Sequence, residues 1–472
     1  MRNKKKICVA INNRANYARV KTLLLEIKKN KNFELKILLG ASAILSRFGE
    51  LDNILKKDGF TKFEKIYSIV EGENLTTMAK STGLSIIELS TFFENYKPNA
   101  VIVIADRFEN LSVAIAASYL NIPLIHIQGG EVTGSIDEKV RHSITKLSDI
   151  HFVATKRSRE FLIKMGENKK YVFLTGCPSI DIASKAKSIL FKDFFIKNKG
   201  VGNAPNYKEK YIVVMHHPET TKFYETLNQI RQTINPIIRI KNIKIVWLWP
   251  NIDAGSDIIS KQLRMLRENK LVSNISFFKN FSPENYIKLI NNCECLVGNS
   301  SSGIRESSFL SVPVVNIGSR QINREQGFNV INVNHNKDDI YRAIIKQMKK
   351  KKEELEFVLN NLAMISPNGI TVALLPMDCV NTQRGEGLIL KQELMSKHTL
   401  LGVMSLPDEL FYDSDTSTVT CCIVVKAHVP HNKNFKSYLG YWKDDGFAKR
   451  KWGRVDDKNL WQEKKKVWLD SY

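Results

Sequence analysis

Short β-branched runs alternate with amphipathic stretches over the first 350 residues, and this alternation is the strongest pattern in the chain. Runs at 6–11, 34–39, 100–105, 124–128, 150–154 and 171–175 are rich in Ile, Val and Leu and end in polar or turn residues, which predicts strands. Between them, 20–29, 85–95 and 110–120 carry apolar residues at the spacing of one helical face. Strand–helix–strand order predicts parallel sheets covered on both faces. Polar residues at 197–210 read as a linker, after which the rhythm restarts with strands predicted at 211–215, 244–249, 274–278, 295–298 and 312–317. The expected fold is α/β: two Rossmann-like doubly wound domains, 1–196 and 211–350, facing a cleft. From about residue 353 the character changes. A helix predicted at 353–364 leads through Ser366-Pro-Asn-Gly369 to a strand at 370–375, then to a charged tail with Trp442, Trp452, Trp461 and Trp468. This stretch, 353–472, is expected to be a separate, partial α/β segment.

Composition adds boundaries rather than detail. The 472 residues are 43% hydrophobic and 25% charged, with no apolar run long enough to span a bilayer. The basic start (Arg2 and lysines 4–6) precedes an apolar stretch of only residues 7–11, too short for a signal-peptide core, so a cytoplasmic protein without a membrane partner is expected. The net charge of +23 could serve a nucleic acid or a polyanionic metabolite such as a nucleotide sugar. Its lysines lie in scattered runs such as 349–352, which favours plain solvated faces. Seven cysteines in a chain of this size form neither a disulfide framework nor a Cys-x-x-Cys pair. Cys293, Cys295, Cys421 and Cys422 read as structural thiols in a reducing compartment, and no His spacing completes a metal site.

In open α/β sheets ligands lie beyond the carboxyl ends of the strands, so residues there are the candidates. Arg14, just past the first strand, can offer a planar donor fork to a diphosphate, or be an ordinary exposed loop residue. Asp106 and Arg107 end the strand at 100–105, either as an acid/base with a charge partner or as a local ion pair. The stretch His126-Ile-Gln128-Gly129-Gly130-Glu131 follows another strand, and its paired glycines allow a sharp turn or a close approach to ligand. Ser135-x-x-Glu138 has the form of a capping box, which gives Glu138 a structural role. Asp137 and Arg141 share one helical face, as functional groups or as a simple salt bridge. In the second domain, His217-Pro218 ends a strand with an oriented imidazole. Ser300, Ser301 and Gly303 precede a helix whose N–H groups can face an anion, and Glu306 stands where it could accept from ribose hydroxyls.

These motifs, together and in order, resemble the hydrolysing branch of the UDP-N-acetylglucosamine 2-epimerases over residues 1 to about 350. The matching segments are Arg14-Ala-x-Tyr17, Asp106-Arg107-Phe108, Gly129-Gly130-Glu131-Val-x-Gly-x-Ile-Asp137, His217-Pro-x-Thr-Thr221, Pro250-Asn251-Ile-Asp-Ala-Gly255, Gly298-Asn-Ser-Ser-x-Gly303-x-Arg-Glu306 and Gly318-Ser-Arg320-Gln-x-x-Arg-Glu325. The resemblance implies two GT-B-like halves with UDP held mainly by the second, no cofactor, and a homo-oligomer. It implies elimination of UDP from a UDP-N-acetylhexosamine by removal of the C2 proton, then addition of water to the 2-acetamidoglucal. The free product would be N-acetylmannosamine or its 2,4-diacetamido analogue, for sialic-acid-type sugars. By position, Asp106, Glu131, Asp137, His217 and Gln128 fall on the catalytic motifs. Arg14, Arg107, Arg141, Asn251, Ser300, Ser301, Glu306 and Arg320 fall on the substrate-binding ones.

Two departures stand out. Many relatives carry Glu where this chain has Gln128, and an amide cannot act as a general base, so either Glu131 takes that function, or Gln128 only orients the sugar while Asp106 or Asp137 moves the proton. Gly40-Ala-Ser-Ala lacks the histidine that some relatives place after the second strand.

Beyond residue 353 the segments 355–362, 374–377, Arg384-Gly-Glu386, 404–411 and 441–446 resemble the later part of an N6-adenine DNA methylase. The chain contains neither the glycine-rich cofactor loop nor the Asn-Pro-Pro-Tyr-type motif such enzymes need, so no methyl transfer is expected. The epimerase reading is preferred over a UDP-sugar-dependent glycosyltransferase of the same fold and over a DNA-binding restriction–modification component. Nucleic acid is not an expected partner.

Overall fold

A computed structural model describes residues 4–45, 51–185, 190–268, 272–349, 354–381, 383, 385–407, 419–442, 444–450 and 453–470. The chain divides into two units, 1–350 and 351–472.

In the first unit, seven strands form one parallel sheet: β1 (Lys5–Ile11), β2 (Phe33–Gly40), β3 (Phe63–Ile66), β4 (Ala100–Ile104), β5 (Leu124–Ile127), β6 (Ile150–Val153) and β7 (Val172–Leu174). Their spatial order is β3-β2-β1-β4-β5-β6-β7. The last four β1 residues, 8–11, are buried because the sheet is covered on both faces, which explains the unbroken apolar runs. One face packs Tyr17, Val20 and Leu24 of the helix Arg14–Lys29 against Val9, Ile11 and Ile37. The other packs Leu89 and Phe93 of the helix Leu75–Tyr96 with Val113 and Ala117 against Cys8, Val101 and Val103.

A second seven-stranded sheet comprises β8 (Val201–Gly202), β9 (Tyr211–Met215), β10 (Lys244–Leu248), β11 (Ile275–Phe278), β12 (Cys295–Gly298), β13 (Val314–Ile317) and β14 (Val330–Val333), in the order β14-β13-β12-β9-β10-β11-β8. All pairings are parallel except β8 with β11. Both sheets reverse direction of winding beside their first long strand, at β1/β4 and at β9/β12. Those are the points where loops diverge and leave room for a ligand.

The periodic strands fall where the pattern predicts them. The unpredicted ones are edges: β3 is half charged, β14 contains Asn332, and β8 has two residues inside the expected linker. The expected division at 196 also shifts. Ile182, Leu190, Phe194 and Phe195 already pack with Tyr211, Val213 and Phe278 of the second half. Phe194 and Phe195 meet edge to face at 5.0 Å, an apolar anchor ahead of the polar stretch.

The second unit has its own core. Leu355, Val358, Leu359 and Leu362 of the helix Glu354–Met364 pack with Leu390, Leu394, Ile423 and Val425. Its strands are β15 (Ile370–Pro376), β16 (Thr399–Ser405), β17 (Thr420–Lys426), β18 (Tyr438–Tyr441), β19 (Ala448–Arg450) and β20 (Gly453–Val455). Four of them form a mixed sheet in the order β15-β17-β16-β18. The segment thus has a hydrophobic core and a sheet of its own. Trp442 and Trp461 stack at 5.7 Å. Lysines 350–352, Arg384, residues 408–411, Lys443 and Trp452 lie outside the described residues, as do the side chains of Glu386 and Trp468. Among the described residues no helix is long and apolar enough to cross a membrane.

Candidate active site

Loops from the carboxyl ends of both sheets of the first unit surround a cavity of about 470 Å³. Arg14, Asp106, Arg107, Asp137, His217, Asn251, Ser300, Ser301, Glu306 and Arg320 all line it. Gln128, Glu131 and Arg141 do not belong to the lining. Seven cationic side chains (Arg14, Arg19, Arg107, Arg264, Lys279, Arg320 and Arg324) face five carboxylates (Glu73, Asp106, Asp137, Asp257 and Glu306).

On the first-half side, Asn13 caps the helix Arg14–Lys29, its side chain accepting from the Asn16 N–H. That cap sets Arg14 in the first turn and Arg19 further along, where the Arg19 Nη2 donates to Ser301 Oγ across the cleft at 3.2 Å. Burial pulls both guanidiniums below their ordinary values.

Beyond β4, Ala105 adopts a left-handed conformation (φ 61°) that turns the chain so Asp106 and Arg107 diverge. They do not pair with each other. Asp106 receives Arg141 and, at 3.4 Å, Arg324. Arg107 binds Glu109 at 3.0 Å and Asp253 of the second half at 2.5 Å. Burial would raise the Asp106 carboxyl, but Arg141, Arg324, Arg19 and Arg305 outweigh it and hold the group well below the usual carboxylate range. Asp137 moves the opposite way. Burial and the neighbouring Asp106 charge raise it, with Arg320 opposing at 3.4 Å. The Asp137–Arg141 salt bridge allowed by helical spacing does not form, because Arg141 is drawn to Asp106 and the Glu131 carbonyl. The capping box is also altered. Ser135 accepts from the Asp137 N–H, while Glu138 reaches back to the Thr133 N–H at 2.6 Å.

The stretch 126–131 forms the scaffold behind this wall. His126 donates from Nε2 to the Ala105 carbonyl at 2.9 Å and contacts Thr145 Oγ1 at 3.2 Å; burial pushes it down to about 4. Gln128, left-handed and fully buried, donates from Nε2 to Cys177 Sγ at 2.9 Å. Gly130 turns with φ 79°, where a Cβ would strike the Ser158 carbonyl, and a Cβ on Gly129 would crowd His126 and Thr145, so the glycines serve the turn and its packing. Glu131 is clamped by Arg305 at 2.5 Å and Arg324 at 2.9 Å. Burial opposes its ionisation, yet Arg305, Arg324 and Arg141 bring the carboxyl down to about 2.

On the second-half side, Asn299 fastens the loop after β9: its Oδ1 accepts from the His217 N–H at 2.7 Å and its Nδ2 donates to the His217 carbonyl at 2.8 Å. The Asn251 N–H donates to His217 Nδ1 at 3.3 Å, leaving Nε2 to carry the ring proton. Burial and the Arg320 charge push this imidazole down to about 3, so it is a neutral donor. The serines behave differently from the expected helix N-terminus. Ser301–Gly303 is a 3₁₀ turn whose Gly303, Ile304 and Arg305 N–H groups are bonded to Ser300 and Ser301 carbonyls, and the helix after it spans only Glu306–Phe309. What faces the cavity is a set of hydroxyls and the Glu306 carboxylate.

Comparison with known proteins is decisive. Residues 25–362 match the family model described as UDP-N-acetylglucosamine 2-epimerase. The chain belongs to the UDP-N-acetylglucosamine 2-epimerase family. It is 32% identical over 348 residues to the hydrolysing UDP-N,N'-diacetylbacillosamine 2-epimerase of Legionella pneumophila, covering 74% of this chain and 90% of that protein. It is 33% identical over 343 residues to the Escherichia coli polysialic acid biosynthesis protein P7, covering 72% of this chain and 85% of that one. Among solved structures, the S. aureus MnaA–UDP complex aligns with a TM-score of 0.60 at 16% identity, covering 75% of this chain and 91% of that one. The Neisseria meningitidis UDP-GlcNAc 2-epimerase bound to UDP-GlcNAc aligns at 0.58 and 17% identity, covering 72% and 91%. These establish the epimerase fold for the first unit. A second family model, N-6 DNA Methylase, matches residues 325–440. Its first stretch overlaps β14, which is paired into the epimerase-type sheet, and the helix Lys337–Lys349, which packs against that sheet.

The sequence reading gave no role to Asp253, Arg305 and Arg324, which pair with charges across the epimerase cleft, to Arg19, which bonds Ser301, or to Glu219, which bonds the turn at Ser319. Four of them stand inside or beside quoted motifs, and charged residues at apolar strand ends were the available signal. Their partners lie 100 or more residues away and could not be paired from spacing.

Proposed function

We propose that the cavity of the first unit hydrolyses a UDP-linked 2-acetamido sugar, releasing UDP and the free sugar inverted at C2. One observation carries this reading: the carboxylates of buried Asp106 and half-buried Asp137 line the same cavity with their acidities pushed in opposite directions. Such a pair is suited to separate base and acid roles at one pH. The excess of cations over carboxylates around it suits a diphosphate.

In this reading Arg14, Arg19, Ser300 and Ser301 face the diphosphate, Glu306 the ribose, and His217 donates from Nε2 to the UDP side. Ionised Asp106 accepts the C2 proton while the C1–O bond breaks and its electron pair leaves with UDP. Asp137, held toward its protonated form, supplies a proton at the leaving oxygen. Water then adds across the glycal, hydroxyl to C1 and proton to C2 on the opposite face, so the net reaction consumes one water. The arginines that keep Asp106 ionised also weaken it as a base. Arg19 and Arg324, which line the cavity, are the ones a bound diphosphate can draw away from it. Gln128 and Glu131 hold the wall rather than the substrate.

The test is product analysis with UDP-N-acetylglucosamine and its 2,4-diacetamido counterpart in deuterated water. UDP plus a C2-epimeric free sugar carrying deuterium at C2 is expected. An absolute need for an acceptor sugar, or UDP release without deuterium at C2, would sink the reading.

A further inference from the structure

Glu219 is fully buried and lies outside the cavity lining, yet it gathers donors from around the turn that follows β13. Its carboxylate accepts from the Ser319 N–H at 2.8 Å, the Ser319 hydroxyl at 2.8 Å, the Arg320 N–H at 3.2 Å and His335 Nε2 at 3.2 Å. Burial works against its charge, but His335 and Ser319 bring the carboxyl down to about 2, so it remains an ionised acceptor.

The segment that begins at this turn, 318–325, makes several contacts from the second half to the first. Arg320 reaches Asp137 at 3.4 Å, and its carbonyl accepts from the Gly134 N–H at 3.4 Å. Arg324 reaches Glu131 at 2.9 Å and Asp106 at 3.4 Å. Glu325 accepts from Thr155 Oγ1 at 2.6 Å. No α-helix or strand fixes this segment, so its backbone depends on outside anchors. We infer that Glu219 is a positioning residue for the reaction: it pins the 318–325 strap so that Arg320 and Arg324 meet Asp137 and Asp106 in register. The inference rests on the proposed function but adds to it a residue that touches neither substrate nor reacting carboxylate.

The variants are Glu219→Met, which keeps the length and removes the acceptors, Glu219→Gln, which keeps one acceptor oxygen, Arg320→Met, and the Glu219/Arg320 doubles, all in the full chain. Glu219→Met should lower kcat about a hundred-fold, the scale for misplaced groups, with UDP affinity within about three-fold of wild type. Glu219→Gln should recover to within about ten-fold of wild type, since one oxygen can still take the backbone N–H groups. A residue acting through Arg320 and Arg324 should add less than its full loss once Arg320→Met is present. Wild-type kcat in Glu219→Met, equal losses in the Met and Gln variants, or multiplicative losses in the double would overturn the inference. If Glu219→Met does not fold, the Gln variant and its double with Arg320→Met decide by the same additivity. Amide exchange at 319–320 separates this claim from the function itself: should the wild type turn over no UDP-sugar, faster exchange there in either variant still supports the anchor, and unchanged exchange refutes it.

Discussion

Replacing Glu131 by Gln keeps the side-chain volume and removes one charge from between Arg305 and Arg324. Holding the carboxyl at about 2 instead of 4.5 corresponds to a preference of about 3 kcal/mol for the ionised, folded state. The side chain is 11% exposed, so solvent screening takes little of this away. Because the folded value is depressed, the contribution is complete above pH 4.5 and is lost as the pH falls through about 2. At about pH 7 the variant should therefore lose about 3 kcal/mol, the scale of breaking a buried ion pair. For a unit of 350 residues, at about 2 cal/mol/K of unfolding entropy per residue, Tm should fall by about 4 °C. Scanning calorimetry of the full chain reads this directly. Repeating it at about pH 3 should shrink the gap to less than about half, since much of the wild-type advantage is titrated away there. A gap that ignores pH would refute the ion-pair account. An unchanged Tm with turnover reduced about a thousand-fold would instead make Glu131 an acid or base acting on substrate.

Other outcomes follow from the same geometry. Asp137→Asn should lower kcat by at least about a hundred-fold. It should also remove the basic limb of the pH–rate profile, because the raised Asp137 carboxyl loses its proton as pH rises; an unchanged limb assigns it elsewhere. Gly298 has φ 138° and its missing Cβ would overlap the Met215 carbonyl, so Gly298→Ala should destabilise the first unit by about 3 kcal/mol, checked by urea denaturation. Full-length protein given labelled S-adenosylmethionine and duplex DNA should transfer no methyl group above background, and incorporation into adenine would contradict the reading of 353–472 as a methylase-like remnant.

The sequence carried the fold where burial is symmetrical. β9 and β12 are continuous apolar runs between turn residues and coincide with the expected 211–215 and 295–298. It failed at edges, where β3 and β14 expose one side and lose the apolar run; in the second unit the helix expected at 353–364 and the strand at 370–375 are present, but β16, β17 and β18 were not foreseen. For the site, strand-end logic brought Asp106, Asp137, His217 and Glu306 to one cavity. Pairing was not legible. Asp106 beside Arg107, and Asp137 four residues before Arg141, look like couples by spacing, yet each charge finds a partner elsewhere. Gln128 shows the reverse: its position in a motif suggested contact with substrate, while its left-handed backbone turns the amide toward Cys177.

The charge pairs at the floor of the cleft have a kinetic consequence. Arg107–Asp253, Asp106–Arg324, Glu131–Arg305 and Asp137–Arg320 each bridge one sheet to the other. Opening wide enough to exchange a nucleotide sugar requires the bridges that a bound substrate leaves in place to separate. Added salt screens the separated charges better than the buried pairs and so favours the open form. Turnover limited by product escape should then rise with moderate ionic strength even as encounter with an anionic substrate slows.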